Sequence, residues 1–394
     1  MSSTEPKNEP KNKSKKTWSR RAVLKLAGTA AAGAVVSRAS RASAHGHATH
    51  LRTRFSDELG LRVPLASAGM AFVNLTELCS AVSNAGALGV YGVGADPPPV
   101  VAERLQAIRE HTSGPFGIDF IFATSALGDF TTQAHIDITA AARVPVVVFH
   151  WNVPLRTWVA QLHAAGSKVF MQTGDVHVAL QAVAVGVDGI VAQGRSAGGH
   201  NRNATIPTFR VVHDMRRALP AKIFILAAGG IADGHGLVRA VRAGADGGWA
   251  GTVFVAATES YAHDGYKARL VAARSPDATQ FTTVFGPEWP GQQQRVLRNR
   301  ATANPGSTTP ATIGTTVLFP GAPDGNVPYV MPKHSAIVPT RDTVGDLEEM
   351  DMPAGATSVR AVRRVRPAAD IVDDFVEGAR EALDRDDDDD LDED

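Results

Sequence analysis

Residues Val187 to His200 read VDGIVAQGRSAGGH, and this stretch predicts both the kind of fold and the place of a functional site. It begins as a short apolar run, the pattern of a buried parallel β-strand. It ends in a loop with three glycines, of which Gly198 and Gly199 directly precede His200. Glycine has no Cβ and lets backbone N–H groups approach a flat or anionic ligand, and histidine titrates near neutral pH. In a barrel enzyme such a loop holds a cofactor and a reactive group; a tight turn with an incidental histidine is the alternative.

The same pattern of apolar run, glycine or polar loop and amphipathic helix repeats about every 20 to 30 residues between residues 52 and 273, which is typical of βαβ units. Eight candidate strands in this range predict an α/β fold of the (β/α)8 barrel type, and an open doubly wound sheet is the alternative. The loop after the first strand, Ser67-Ala68-Gly69-Met70, lacks the G-x-G-x-x-G fingerprint of the open sheet, which favours the barrel. The predicted strands are Val63–Ala66, Ala87–Tyr91, Phe116–Phe120, Val144–Phe149, Lys168–Met171, Gly189–Ala192, Lys222–Leu226 and Gly247–Ala250.

The loops after strands 7 and 8 predict a phosphate-binding site. Gly229 and Gly230 are soon followed by Asp233, an N-capping residue, so free backbone N–H groups and a positive helix dipole meet at one point. Gly251 and Thr252 add another N–H group and a hydroxyl. These two loops are the usual phosphate site of such barrels, whereas glycine-rich turns that only permit tight packing are the alternative.

The remaining loops favour a nucleotide-like cofactor. Gln172 and Gln193 can form hydrogen bonds to the edge of a flat heteroaromatic ring, and Met70 can pack on its face. The formal net charge of the 394-residue chain is zero and no basic patch is interleaved with aromatic residues, so nothing indicates a nucleic-acid partner. The one cysteine, Cys79, excludes a disulfide within the chain and a cysteine-based zinc site.

Residues 1–44 are predicted to be an export signal. A lysine-rich segment precedes Ser19-Arg20-Arg21-Ala22-Val23-Leu24-Lys25, which closely resembles the twin-arginine signal. The apolar stretch 26–36 is too short to span a membrane, and Ala42-Ser43-Ala44 is a candidate cleavage site. We therefore expect an exported protein, periplasmic or extracellular, whose partner is the twin-arginine export machinery, with residues 45–51 as a flexible mature N-terminus; a basic disordered tail is the alternative.

The periodicity ends after residue 273. Residues 274–366 are rich in Pro, Gly and Thr, which predicts an irregular lid or substrate-side segment, and Gln294–Arg300 is typical of one short basic helix. Residues 367–383 predict an amphipathic helix that docks on the barrel. The acidic residues 384–394 predict a disordered tail.

Together the loop motifs resemble those of the nitronate monooxygenase family, formerly called 2-nitropropane dioxygenases. The resemblance covers residues 52–273 and is weaker at residues 294–300 and 366–383. It implies a barrel that uses FMN and molecular oxygen to oxidise alkyl nitronates, which are small anions. The motifs that carry it are Gly69-Met70, Gln172-Thr173-Gly174, the segment from Ala192 to His200, the segment from Ala228 to Gly234, Ala250-Gly251-Thr252 and Glu259-Ser260.

The resemblance also implies roles for individual residues. His200 falls on the catalytic histidine, which can pair with an anionic nitronate or take a proton from the carbon of a neutral nitroalkane. Asp119 stands where the family has Asn or Gly, which puts a possible carboxylate near the flavin. His150 suits either a substrate-pocket or a structural role, and His177 a surface or capping role. The residues expected to bind FMN are Gly69, Met70, Gln172, Gln193, Gly199, Gly229, Gly230, Gly251 and Thr252.

Two other hypotheses remain at this level. One is an NAD(P)H-dependent FMN reductase like the related enoyl-acyl-carrier-protein reductases. The other is an exported barrel that binds a phosphate-bearing ligand without flavin chemistry. Flavin absorbance and its response to nitronate or to NADPH distinguish the three.

Overall fold

The computed structural model of the protein describes residues 51–125, 128–201, 204–307, 310–320 and 326–389. The predicted export signal at 1–44, nearly all of the predicted mature N-terminus and residues 390–394 of the predicted acidic tail lie outside the described residues.

Eight parallel strands close into a barrel, as predicted, and the open sheet is excluded. Each strand pairs with its neighbour in the chain, and the eighth pairs with the first. The first and second strands meet through Ala66 and Leu88, where Leu88 N–H donates to the carbonyl of Leu65 and Ser67 N–H donates to that of Leu88, both at 2.9 Å. The strands are β1 (Leu65–Ser67), β2 (Gly89–Val93), β3 (Phe116–Phe122), β4 (Val146–Trp151), β5 (Lys168–Thr173), β6 (Gly189–Gln193), β7 (Phe224–Ala228) and β8 (Gly247–Ala250).

The helices surround the strands and begin and end at expected signals. Asp175 and Asp233 each cap a helix by accepting backbone N–H bonds, and Gly186 ends one with a φ of 108°. The α-helices are α1 (Arg54–Leu59), α2 (Thr76–Asn84), α3 (Pro98–His111), α4 (Gln133–Ala141), α5 (Arg156–Ala164), α6 (Val176–Val185), α7 (Thr208–Ala218), α8 (Gly234–Arg242), α9 (Thr252–Val255), α10 (Asp264–Ala272), α11 (Arg300–Ala303) and α12 (Ala368–Asp389).

The barrel interior is filled by alternate strand residues, and this alternation positions the site. Val146 and Val148 on β4, and Val191 on β6, belong to one buried apolar cluster inside the barrel. Because side chains two apart lie on the same face of a strand, the next inward positions at the carboxyl ends are His150 and Gln193. Polar side chains therefore replace the apolar core at that end.

Helix α1, which sequence analysis did not predict, covers the opposite end of the barrel. Its Phe55 is fully buried and lies edge-on to the rings of Phe170 and Phe224, with centroids 6.2 and 6.1 Å away. Ligand access is thus confined to the end where the strands finish.

The segment 274–366 is more regular than predicted, because it contains two small antiparallel sheets. Gln294–Leu297 pairs with Thr279–Thr282 on one side and with Gly199–His200 on the other, and Thr312–Val317 pairs with Pro328–Pro332 and Val344–Gly345. The short helix predicted for Gln294–Arg300 is wrong. Its first four residues form a strand between neighbours on both sides, and the helix α11 begins only at Arg300.

The predicted C-terminal helix is present as α12 and packs on α8 and α2. Ile371, Val372 and Phe375 are buried on its inner face. The helix continues to Asp389, so the first part of the predicted acidic tail is helical rather than disordered. In the described parts of the chain, no helix combines the length and apolar character that crossing a membrane requires.

Candidate functional site

A cavity lies at the carboxyl ends of the barrel strands, with an empty volume of about 1290 Å³ that includes its mouth. All ten residues that the sequence predicts for the site border it. They are Gly69, Met70, Gln172, Gln193, Gly199, His200, Gly229, Gly230, Gly251 and Thr252. The structure thus brings together these residues from five of the eight strand–helix units.

One end of the cavity is a cradle of backbone N–H groups. Gly229 and Gly230 have φ angles of 104° and 82°, in the left-handed region that favours glycine. The hydroxyl of Thr208 donates to the carbonyl of Gly229 at 2.7 Å, which fixes the orientation of that loop. Among the described residues, the N–H groups of Gly230 and Gly251 have no acceptor. They are available for an anionic group.

Residues 353–361 close over this cradle. The N–H of Gly355 donates to the hydroxyl oxygen of Thr252 at 2.9 Å, and the N–H of Ala356 donates to the carbonyl of Ser196 at the same distance. Gly355 and Ser358 both border the cavity. A ligand in the cradle would therefore be enclosed by barrel loops and by a segment that follows the barrel in the chain.

His200 lies at another part of the cavity and is held by backbone contacts. It pairs across the antiparallel strand with Gln294, and its carbonyl accepts a bond from the side-chain amide of Gln193 at 3.0 Å. Its Nε2 has no hydrogen-bond partner among the described residues. Burial lowers the pKa of His200 from 6.5 to about 4, so the imidazole is neutral at pH 7.

Two tryptophans flank His200. The ring of Trp151 lies 5.1 Å from the imidazole and that of Trp289 lies 5.7 Å away, both edge to face. Trp151 has a φ of 93°, a conformation that costs a non-glycine residue about 1–3 kcal/mol. Strain of this kind persists where the surrounding structure enforces it, and it is common at functional sites.

Asp119 is enclosed beneath the first loop. Its side chain fills the space where a Cβ on Gly69 would stand, with Asp119 Cβ only 2.2 Å from that position. Burial raises the pKa of Asp119 well above its usual range. The sequence suggested a carboxylate near the cofactor, and the structure places this carboxyl on the cavity wall, where burial favours its neutral form.

The family model for nitronate monooxygenase matches residues 52–378. The chain belongs to the nitronate monooxygenase family. A nitronate monooxygenase from Paraburkholderia phytofirmans is 29% identical over 297 residues, which cover 64% of this chain and 79% of that protein. A probable nitronate monooxygenase from Staphylococcus aureus is 26% identical over 288 residues, which cover 63% and 79%.

Solved structures agree with this membership. FabK from Thermotoga maritima superposes with a TM-score of 0.67 at 28% identity, over 85% of this chain and 98% of that one. A nitroalkane oxidase from Streptomyces ansochromogenes gives a TM-score of 0.67 at 25% identity, over 84% and 99%. The predicted family is thereby confirmed, and with it the prediction of an oxidoreductase of the nitronate monooxygenase type.

The two other histidines considered from the sequence differ in their position relative to the cavity. His150 borders the cavity at the end of β4, at the inward position that the strand alternation assigns to it. His177 does not border it. It lies in the first turn of α6, with Nε2 3.2 Å from the side-chain nitrogen of Gln181.

Sequence reasoning missed the cavity residues that come from the last third of the chain. Trp289, Gln294, Asp351 and Pro353 border the cavity, and so does Tyr266 of α10. The segment was expected on the substrate side, but its weak periodicity gave no signal for individual residues. The only local signal was the isolated aromatic Trp289 within a polar stretch.

Proposed function

We propose that this protein binds FMN and uses molecular oxygen to oxidise small alkyl nitro compounds in their nitronate form. Family membership supports the reaction class. The observation that carries the proposal is one cavity with a cradle of free N–H groups at one end and His200, whose pKa is lowered to about 4, elsewhere on its wall.

The residues present fit FMN. The N–H groups of Gly230 and Gly251, which have no acceptor among the described residues, suit a phosphate, and both glycines border the cavity. Gln193 Oε1 is buried without a partner among the described residues, which suits a donor on a heterocyclic ring. Gln172 and Met70 border the same space. Bound FMN would supply the electron-accepting chemistry that amino-acid side chains lack.

His200 is suited to move a proton at the substrate carbon. A neutral imidazole with an unpaired Nε2 can accept a proton from a nitroalkane, and the resulting imidazolium would pair with the nitronate. The rings of Trp151 and Trp289 cover part of the imidazole, which reduces its contact with water and strengthens that pairing.

The first test is the visible spectrum of the purified protein, followed by oxygen uptake with a nitroalkane and its nitronate. We expect flavin absorbance and oxygen consumption. His200→Asn should retain the absorbance and lower turnover by about 100-fold or more, the usual contribution of general acid–base catalysis. Full turnover in that variant would remove His200 from the mechanism.

The pH profile tests the protonation state of His200. His200 can accept a proton only when it is neutral, which it is above its pKa of about 4. Protonation of His200 should therefore lower turnover only as the pH falls toward 4. An acid limb centred near 6.5 that is absent in His200→Asn would show that the imidazole titrates as an exposed histidine does.

A second candidate is an NAD(P)H-dependent FMN reductase, which the similarity to FabK supports. Anaerobic bleaching of the flavin by NADPH, without a response to nitronate, would favour it. A colourless protein that does not retain added FMN would contradict both flavin proposals and favour a phosphate-ligand-binding barrel.

We also propose that the protein is exported by the twin-arginine pathway. The support is the Ser19–Lys25 motif and the candidate cleavage site at Ala44.

A further inference from the structure

A second cavity, which we call the arginine groove, borders Gly229 and Gly230 as the first cavity does. It is lined by the starts of α7 and α8 and by residues from the segment 357–363, and its empty volume is about 1280 Å³, including its mouth. Among the described residues, Gly229 and Gly230 alone border both cavities. The groove is therefore a separate space that meets the phosphate cradle only at the backbone of this one loop.

Three arginines border the groove without a charge partner. Arg239, Arg360 and Arg363 are exposed, and their guanidinium groups form no ion pair and no hydrogen bond with the described residues. One carboxylate, that of Asp233, borders the same space, and its Oδ1 accepts the N–H of Gly236 at 2.7 Å. Because arginine stays positively charged, three cations face one carboxylate. The groove is therefore positive and favours an anion.

Two hydroxyl groups lie at the edge where the groove meets the cradle. A Cβ on Gly230 would stand 2.7 Å from the hydroxyl oxygen of Thr357 and 3.8 Å from the Cβ of Ser196, so both side chains adjoin this loop. Neither hydroxyl forms a hydrogen bond with the described residues, and both side chains border the groove. Hydroxyl groups and guanidinium forks are donors that match the oxygens of a phosphate. The groove thus offers a phosphate more than charge.

The groove also has an apolar wall that suits a flat organic group. The half-buried ring of Phe209 borders it, and the guanidinium carbon of Arg239 lies 4.6 Å from the centre of that ring. Pro207, Ala232 and Ala361 border the same space. Nucleotide bases stack on aromatic rings and on guanidinium planes, whereas an inorganic anion gains nothing from apolar surface. These contacts favour an organic phosphate over a simple ion.

We propose that the arginine groove is a second phosphate-binding site, separate from the cradle, that binds a nucleotide. The three arginines and the two hydroxyls bind its phosphate, and its base packs on Phe209. The site lies outside the first cavity, so it is independent of the proposed oxidation of nitro compounds and can be filled while FMN occupies the cradle. The nucleotide is either free or the adenylate half of a dinucleotide such as FAD, and binding measurements distinguish these two sources.

The test titrates the purified protein, saturated with FMN, with AMP and measures binding by isothermal titration calorimetry. We expect AMP to bind at least about tenfold more tightly than inorganic phosphate or adenosine, because each of these lacks one of the two recognised groups. Arg360→Gln and Arg363→Gln should each weaken AMP binding at least about fivefold and leave the Kd for FMN unchanged. Thermal unfolding checks that both variants fold.

Arg364→Gln is the matched control. Arg364 is an exposed arginine of the same segment, but it does not border the groove. Its replacement removes the same charge and should keep AMP binding within about twofold of wild type, because salt screens exposed charges. The inference is overturned if AMP does not bind, if inorganic phosphate binds as tightly as AMP, or if Arg364→Gln and Arg363→Gln weaken AMP binding equally.

A parallel titration of the apoprotein with FAD and FMN identifies the source of the nucleotide. FAD binding at least about tenfold tighter than FMN binding, with the difference lost in Arg363→Gln, would assign the groove to the adenylate of a dinucleotide. Equal binding of the two flavins, together with AMP binding beside FMN, would assign it to a free nucleotide. AMP binding without oxygen uptake on nitro compounds would overturn the proposed function alone; oxygen uptake without AMP binding would overturn this site alone.

Discussion

Gly230 shows how one residue can decide whether the cavity holds a phosphate. Its φ of 82° is a conformation that L side chains rarely adopt, and a Cβ there would also stand 2.7 Å from the hydroxyl oxygen of Thr357. Gly230→Ala would move the loop or the 353–361 segment, and the free N–H would leave its place in the cradle. We expect the Kd for FMN to rise at least about tenfold, measured by fluorescence titration of the apoprotein.

Gly166 supplies the matched control. Its φ is 90°, close to that of Gly230, but a Cβ there would meet nothing within 4 Å, and it lies outside the cavity. Gly166→Ala should therefore cost about 1–2 kcal/mol of stability from the left-handed backbone and leave FMN binding unchanged. Equal loss of FMN binding in both variants would show that backbone strain alone, and not the cradle, is responsible.

Residues carried on a strand and its own loop could be placed from the sequence, and residues carried on the 274–366 segment could not. His200, Gly229 and Gly251 follow apolar runs whose carboxyl ends must meet in a parallel barrel, so their convergence follows from the topology. Gln294 and Asp351 reach the cavity only through packing of segments that lie about 90 and about 150 residues after His200 in the chain. No local pattern records such packing, because a buried and an exposed Asp look the same in a sequence.

At the scale of elements, the close contact of α8 with α12 depends on Gly234. A Cβ on this residue would stand 2.0 Å from the backbone nitrogen of Ala379 and 2.5 Å from the carbonyl oxygen of Phe375. Backbone atoms cannot rotate away as a flexible side chain can, so Gly234→Ala must separate the two helices. We expect the free energy of unfolding to fall by about 1–3 kcal/mol, measured by urea denaturation.

Gly306 is the control for that change, because a Cβ there meets nothing within 4 Å. Gly306→Ala should alter the free energy of unfolding by no more than about 0.5 kcal/mol. If Gly234→Ala is equally neutral, α12 does not dock on α8 as described.

The elements that sequence analysis predicted wrongly share a physical cause. Gln294–Leu297 has helical character in isolation, yet it becomes a strand because Gly199–His200 and Thr279–Thr282 offer backbone partners on its two edges. Helix α1 is only six residues long, too short for a periodic signal, and owes its stability to Phe55 inside the barrel. Tertiary contacts thus determine the structure of both segments. The barrel strands, in contrast, were predicted within about two residues because their burial is continuous along the chain.

At the scale of the whole molecule, the cavity is complete only when the entire chain has folded. Gly69, which follows the first barrel strand, and Ser358, near the end of the chain, border the same space. A cofactor can therefore be captured only by a finished structure, which favours folding and FMN loading before export. The twin-arginine pathway carries folded proteins, in contrast to threading of an unfolded chain.

We expect Arg20→Lys combined with Arg21→Lys to leave flavin-loaded protein inside the cell, since the positive charge is kept and only the recognised pair is lost. Cell fractionation with flavin absorbance as the readout measures this. Replacing Lys15 and Lys16 by Gln, which removes two charges outside the pair, should leave export intact. Equal export of the Lys–Lys variant and the wild type would show that these residues are a basic tail without a signal function.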